Sequence, residues 1–458
     1  MTAGSSRSLP PAPLPIGRLA LLALGGIALM CGLDAALIRL GTLAPISHPD
    51  LGSIHGILMV HGFLGTAICL ERAVSLQAGV GGGITAQNTD VNSGAISGKV
   101  GTRWAYIAPF FAGAGAIAAV IVALNPVIRD TLSALPIPSF LAATLPGFQP
   151  ARMLPGFLWT LSMAALCAIY AVIWRGRQQS IALLVQGLGA VVGVCGTLLW
   201  WRGLEVAVIV PWWLMFLVLT IMGERLELAR IQFMSGSVEL RILGESSALV
   251  IGLLLTLLSP PFGYPILGLA LAALVIDVAI HDVARNTARL SGLPRLAGWA
   301  MLLGHGWALI PAVMWVIAPP QFSGWGYDAG IHALSIGFVM SMVVAHAPVI
   351  IPAVARRELP YHRAMWVVLI LFHLALFTRI IGDVRADTGI WQLGGALGVA
   401  TFLVFIGLNL GLAIHQARVT RKATATATPS TGQDTSPTPS SSPHVAASEA
   451  ASPTKGQA

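Results

Sequence analysis

Apolar stretches of about twenty residues recur along nearly the whole chain, with arginines gathered in every second gap between them. A helix rises about 1.5 Å per residue, so a stretch of that length crosses a bilayer's hydrocarbon core. By this measure twelve spans are expected, near 17–44, 51–76, 103–124, 153–174, 180–201, 204–222, 245–263, 264–285, 296–318, 328–354, 364–382 and 389–416. The segment SPPFGYP (259–265) separates the seventh from the eighth, and prolines in 131–150 predict a surface loop. With 56% hydrophobic and 10% charged residues and a mean hydropathy of +0.80, the chain cannot cover its surface with polar groups in water. The expectation is an all-α integral membrane protein, a bundle of about twelve transmembrane helices.

Counted along alternating gaps, 20 of the Lys and Arg residues fall on one side and 6 on the other. The positive side of such a bias faces the cytoplasm, which puts both termini there. The net charge of +8 thereby has a topological cause, with membrane lipid the expected partner of the basic side, and a nucleic-acid partner is not expected. Residues 1–15 read as a disordered N-terminal segment, 16–422 as the membrane domain and 423–458 as a disordered tail rich in Pro, Ser, Thr and Ala. The run from 16 to 44 is too long for a signal-peptide core and reads as a retained span. The loop 79–99 is rich in Gly, Ser and Asn. Cys31, Cys69, Cys167 and Cys195 sit in apolar runs and read as small packing residues.

Seven histidines fall inside the spans: His55, His61, His281, His305, His332, His346 and His373. Ionisable groups at that depth face the bundle interior and mark cofactor, ion or proton sites; hydrogen bonding between helices is the plainer alternative for any one of them. His55 and His332 each lie about four residues into a helix entering from the outer side, which matches their depth, as two axial haem ligands require. His61 with His305 or His373 is a second pairing. His281 and His346 lie deeper and are candidate metal ligands. On one helix His55 and His61 diverge by about 240°, and His332 and His346 stand about 21 Å apart, so neither pair shares an ion.

Asp277 and His281 are four residues apart on one helical face, where a carboxylate supports an imidazole. Asp34 is expected to find a partner across helices, such as Arg39 or Arg379. Glu71 and Arg72 are expected to snorkel at a helix end, and GERLELAR (223–230) reads as an amphipathic exit. Trp and Tyr at span ends fit an interfacial belt. No Walker loop, dinucleotide fingerprint, nucleophile elbow or HExxH is present.

The segments IDVAIHDVAR, LLGHGWALIPAVMW, GIHALSIGFVMSMV and FTRIIGD follow one another in the last third. In this order they resemble the NnrS family, twelve-span bacterial membrane proteins that bind haem and copper and are associated with nitric oxide metabolism. The matching residues are His332-Ala333-Leu334 with Gly337 and Met340, His305 with Trp307 and Pro311, and Arg379, together with His55 and His281. The family's two histidines flanking one residue before the second span are not found, His48 lying seven residues upstream of His55. A wider similarity is to the haem–copper oxidase catalytic subunit. There the sixth and seventh spans here carry no histidine, so the usual oxygen-reducing centre is not expected.

What the resemblance implies is a haem-binding, and secondarily copper-binding, multi-pass protein of the bacterial inner membrane. It would act in nitric oxide or redox stress with an electron-transfer partner, and no catalytic residue can be named. Three other readings stay open: a proton- or metal-coupled transporter using the same His and Asp residues, an oxidase-like redox subunit, and a haem- or copper-handling assembly factor.

Overall fold

Inside hydrocarbon each backbone N–H and C=O must be satisfied within the chain, and a helix does this with its own residues. The computed structural model describes residues 15–77, 101–134, 149–176, 179–228, 236–356 and 359–426, and contains helices and no strand among them. Twelve helices are long and apolar enough to span a membrane: α1 Ile16–Arg39, α2 His55–Gln77, α3 Thr102–Leu124, α4 Pro150–Gly176, α5 Ile181–Trp201, α6 Val206–Leu228, α7 Gly236–Leu258, α8 Pro260–His281, α9 Gly292–Ile317, α10 Gly324–Ala355, α11 Ala364–Arg385 and α12 Thr388–Thr420. The protein is a multi-pass, all-α membrane protein. Residues 1–416 form one unit, described below; residues 417–458 form a second, described only to Thr426, where it is helical. Except at their margins, the segments 1–15, 79–99 and 423–458 lie outside the described residues, as does 135–148.

The clearest boundary difference is at SPPFGYP. Ser259 alone separates α7 from α8, and Pro260 and Pro261 open the new helix. A helix's first turn has no use for those N–H groups, so proline is tolerated there. Both helices therefore begin earlier than the sequence suggested. The second span is also divided, since Pro49–Ser53 forms a short helix that breaks at Ile54 before α2 begins at His55.

α6 is apolar around its whole circumference, and 83% of its span window is buried, against 22% for α12. A helix hydrophobic on all sides belongs inside a bundle. α6 thus runs through the interior, flanked by α5, by α2 and by the start of α10. Trp213 and Phe216 on α6 and Trp159 on α4 are almost fully enclosed. All four cysteines are free thiols at buried or half-buried positions, as the sequence suggested.

Two stretches widen into π-helix, Leu58–Leu64 in α2 and Ala333–Met340 in α10. Each directly follows a histidine of the sequence analysis, His55 by two residues and His332 by none. Such widened turns are rare and cluster at functional positions.

Candidate functional site

A cavity of about 590 Å³ lies between α1, α2, α6, α10, α11 and α12, within the usual range for small-molecule sites. Val210 and Leu214 of α6 and Phe402 of α12 contribute to apolar walls, while His55, His332, Asp328, Arg379, Arg39 and Trp391 supply polar edges. His55 and His332 thus come from two different helices to one space.

Both imidazoles are held the same way. His55 Nδ1 donates to the carbonyl of Gly32 on α1 at 2.8 Å, and His332 Nδ1 donates to the carbonyl of Asp328 at 2.9 Å. A carbonyl only accepts, so each Nδ1 carries the proton and each neutral ring keeps Nε2 as a lone-pair donor. Such a bond also fixes the ring plane of a metal-binding histidine.

Asp328 organises the outer wall. Its carboxylate accepts a two-pronged bond from Arg379, Nε at 2.7 Å and Nη2 at 2.8 Å, and a third from Trp391 Nε1 at 2.9 Å. It also lies 3.2 Å from His332 Nδ1. The Arg379 guanidinium in turn sits over the Trp391 ring at 4.8 Å. This arrangement needs α11 and α12 almost in backbone contact: a Cβ on Gly394 would collide with the Arg379 backbone, and one on Gly395 would reach Arg379 Nη1. Behind this fork Asp383 is 5% exposed, and neither of its carboxyl oxygens makes a hydrogen bond. Arg39, exposed at the cavity rim, makes no ion pair among the described residues.

The remaining candidate histidines are elsewhere. His61 is fully buried in an aromatic box, stacked on Phe216 at 5.7 Å and edge-on to Trp213 at 5.8 Å, with neither nitrogen hydrogen-bonded. His305 is 3% exposed and has no hydrogen bond of good geometry, the Met301 carbonyl one turn back being its backbone neighbour. His373 accepts from Trp307 Nε1 at 2.9 Å and stacks on that ring. No described contact joins His61 to His305 or His373. His346 faces Arg225, at 3.2 Å from Nη1. His281 Nδ1 meets both the carbonyl and the carboxylate of Asp277, at 2.9 and 3.2 Å, and Arg241 grips that carboxylate with two bonds of 2.6 and 2.5 Å.

Three expectations need correcting. Asp34 pairs with neither Arg39 nor Arg379; it accepts the Ile46 N–H at 3.1 Å and so holds the loop after α1. Arg72 does not snorkel, being 7% exposed in its side chain and bonded to Glu224 at 2.5 Å, with Glu71 and Glu227 at 3.4 and 3.6 Å. The GERLELAR segment is likewise more than an exit. Its Arg225 forms a two-pronged buried pair with Asp282 at 2.8 and 2.6 Å, because α6 is central and its polar end is covered by neighbours. Burial alone would raise the Asp282 pKa; the Arg225 fork and the Ala284 N–H outweigh that and hold it below the ordinary aspartate value.

Among the described residues no group of three or more His, Cys, Asp or Glu side chains is placed to hold a metal ion. The cavity's donor set is instead two imidazoles on separate helices. The sequence matches the family "Domain of unknown function (DUF8744)" over residues 18–414. The chain belongs to this family. The DUF8744 match takes in His55, His332, Asp328 and Arg379, so the cavity is built wholly from the family's own region. No curated protein matches the chain.

Asp328 is the residue that sequence reasoning missed. Its signal is present in the sequence: DAGIH at 328–332 repeats the four-residue Asp–His spacing of DVAIH at 277–281.

Proposed function

We propose that this DUF8744 protein binds haem in the cavity between α2 and α10, as a redox or nitric-oxide-responsive protein of NnrS type in a bacterial inner membrane. The observation that carries the reading is the pair of imidazoles from different helices, each with Nδ1 tied to a backbone carbonyl and Nε2 left for a ligand. A haem iron is commonly held by one or two such side-chain ligands, and reversible one-electron chemistry is what the group supplies when bound.

The residues present fit it. His55 and His332 would hold the iron, Phe402, Val210 and Leu214 provide apolar walls, and the unpaired Arg39 would offer a guanidinium to the group's carboxylates. Asp328 orients the His332 ring, and Arg379 with Trp391 holds Asp328 in place. For copper the fit is poorer, since no cluster of three ligating side chains forms among the described residues, and no step is assigned to it. The excess of Lys and Arg between alternate helices supports both termini being cytoplasmic, with the cavity then in the outer half of the membrane.

The test is the visible spectrum of the purified protein, with the bound haem quantified as its pyridine complex. A Soret band that falls by most of its intensity in His55→Ala and His332→Ala, and not in His373→Ala, supports the assignment. A protein that stays colourless when expressed with excess haem and also fails to take up added haemin sinks it.

A second reading, proton-coupled transport, draws on the buried Arg72–Glu224 and Arg225–Asp282 pairs, which place charge well inside the bundle. Proton flux through vesicles carrying the colourless protein would favour it.

A further inference from the structure

A second large recess lies away from the haem cavity. It occupies about 550 Å³ between α8, α9 and the short connection joining them. Its walls are apolar, formed by Val275, Ile276, Ala279 and Ile280 on one side and Leu302 and Leu309 on the other. Two of these side chains, Ile276 and Ile280, are about half exposed on the outside of the bundle, so the recess faces lipid. Arg285 and Arg289 stand at one end with the half-exposed ring of Trp299. Arg289 has no carboxylate partner among the described residues, and Arg285 uses one nitrogen on the Ile280 carbonyl. The acid nearest in sequence, Asp282, is buried and taken by Arg225. The rim is therefore positive, with no acidic partner for it among the described residues.

Lower in the recess is His305, nine-tenths and more buried and without a hydrogen-bond partner of good geometry. A buried polar group left unpaired is costly, and an unpaired side chain on a site's wall points to a ligand with a group that pairs with it. Val275, on the opposite helix of the same recess, is six residues or about 9 Å inside the end of α8. The recess thus presents cations at the membrane surface, an aromatic ring beside them, an apolar channel, and an imidazole below the surface.

We propose that this recess is a binding site for an anionic phospholipid, with the phosphate on Arg285 and Arg289, the glycerol ester oxygens toward His305, and an acyl chain along α8. Each element answers to one part of such a molecule, and juxtamembrane arginines attract anionic lipid. A lipid there fastens the α8–α9 hairpin, whose helices touch at Gly268 and Ala312 and whose connection packs on α9 at Ala288 and Gly298, around the recess. The site is independent of whether haem binds.

The experiment is native mass spectrometry of the full chain in detergent, titrated with dioleoyl phosphatidylglycerol or dioleoyl phosphatidylcholine. The wild type should retain phosphatidylglycerol at a concentration on the order of tenfold lower than phosphatidylcholine. In R285Q/R289Q that preference should vanish, while Arg385→Gln, at the far end of α11, should leave it intact. Gly306 lines the recess and an added Cβ there meets nothing within 4 Å, so the side chain of Gly306→Phe starts in open space and extends into the channel. It should lower retention of both lipids with the rim charges untouched. Glycerol phosphate, lacking chains, should not displace the bound lipid. Equal retention of the two lipids by the wild type, a preference that survives R285Q/R289Q, or unchanged retention in Gly306→Phe would each overturn the proposal.

Discussion

The molecule carries two polar units of the same composition. In one, Asp328 and His332 of α10 meet Arg379 of α11; in the other, Asp277 and His281 of α8 meet Arg241 of α7. Each histidine lies four residues after its aspartate, with Nδ1 at 2.9 Å from the aspartate carbonyl and 3.2 Å from its carboxylate. Each arginine grips that carboxylate with two nitrogens. Even the residue four beyond the arginine is an acid in both, Asp383 in RIIGD and Glu245 in RILGE. What differs is the surroundings. The Arg379 side chain is 9% exposed and that of Arg241 50%, and only the α10–α11 unit faces the large cavity. The lesson is that the chemical unit alone does not make a site. The same set of contacts fastens two helices in both places, and only at the α10–α11 unit does it also border the large cavity, where the proposed function would have it present a ligand.

Breaking the two forks should separate these roles most strongly. Arg379→Ala leaves Asp328 buried without its main cation, and removing one member of a buried pair costs about 3–5 kcal/mol. Arg241→Ala strips a pair whose arginine is largely in solvent, so its effect on stability should be slight. Thermal unfolding of both variants in the same detergent reads the difference directly. Equal loss of Tm would mean that burial does not distinguish the units.

The next effect concerns the ligand. Asp328→Asn keeps the size of the side chain but weakens its hold on His332 Nδ1, and a change of this kind behind a ligating histidine lowers affinity about 10–100-fold. Asp277→Asn makes the same change at the other unit and should leave haem affinity where it was. Haemin titration followed at the Soret band compares them. A loss confined to Asp277→Asn would place the site at α8 and not at α10.

How much of this was legible in the sequence follows from which interactions are local. Span number and helical character come from runs of apolar residues and were readable throughout, apart from ends such as Ser259, where prolines inside a first turn looked like a loop. The depth of His55 and His332 could be counted from the helix ends, because rise per residue is fixed. That they share a cavity depends on how α2 and α10 are rotated. Two π-helical stretches alter the rotation, and no periodicity announces them. The Asp–His spacing could be read on both helices, whereas the identity of each closing arginine, 51 residues from Asp328 and 36 from Asp277, could not. Arg72 and Arg225 show the same limit. A charge near a helix end looks destined for solvent until the neighbours that cover it are known.

The smallest expected effect tests whether the acid four residues after each arginine belongs to the unit at all. Asp383 is buried with both oxygens free of hydrogen bonds, and Glu245 Oε2 is in the same condition. Asp383 stands close to Asp328 and Arg379 without a hydrogen bond of good geometry to either, and an acid so placed contributes little that an amide of equal shape does not. Asp383→Asn should therefore change stability by less than about 1 kcal/mol and leave haem affinity within about twofold. Arg379 would then be held by Asp328 alone, with Trp391 beneath it. Should Asp383→Asn instead cost as much as Asp328→Asn in both Tm and haem titration, the arginine is shared between two acids. The α10–α11 unit would then differ from its α7–α8 counterpart in how its charge is divided, and burial would no longer account for the contrast by itself.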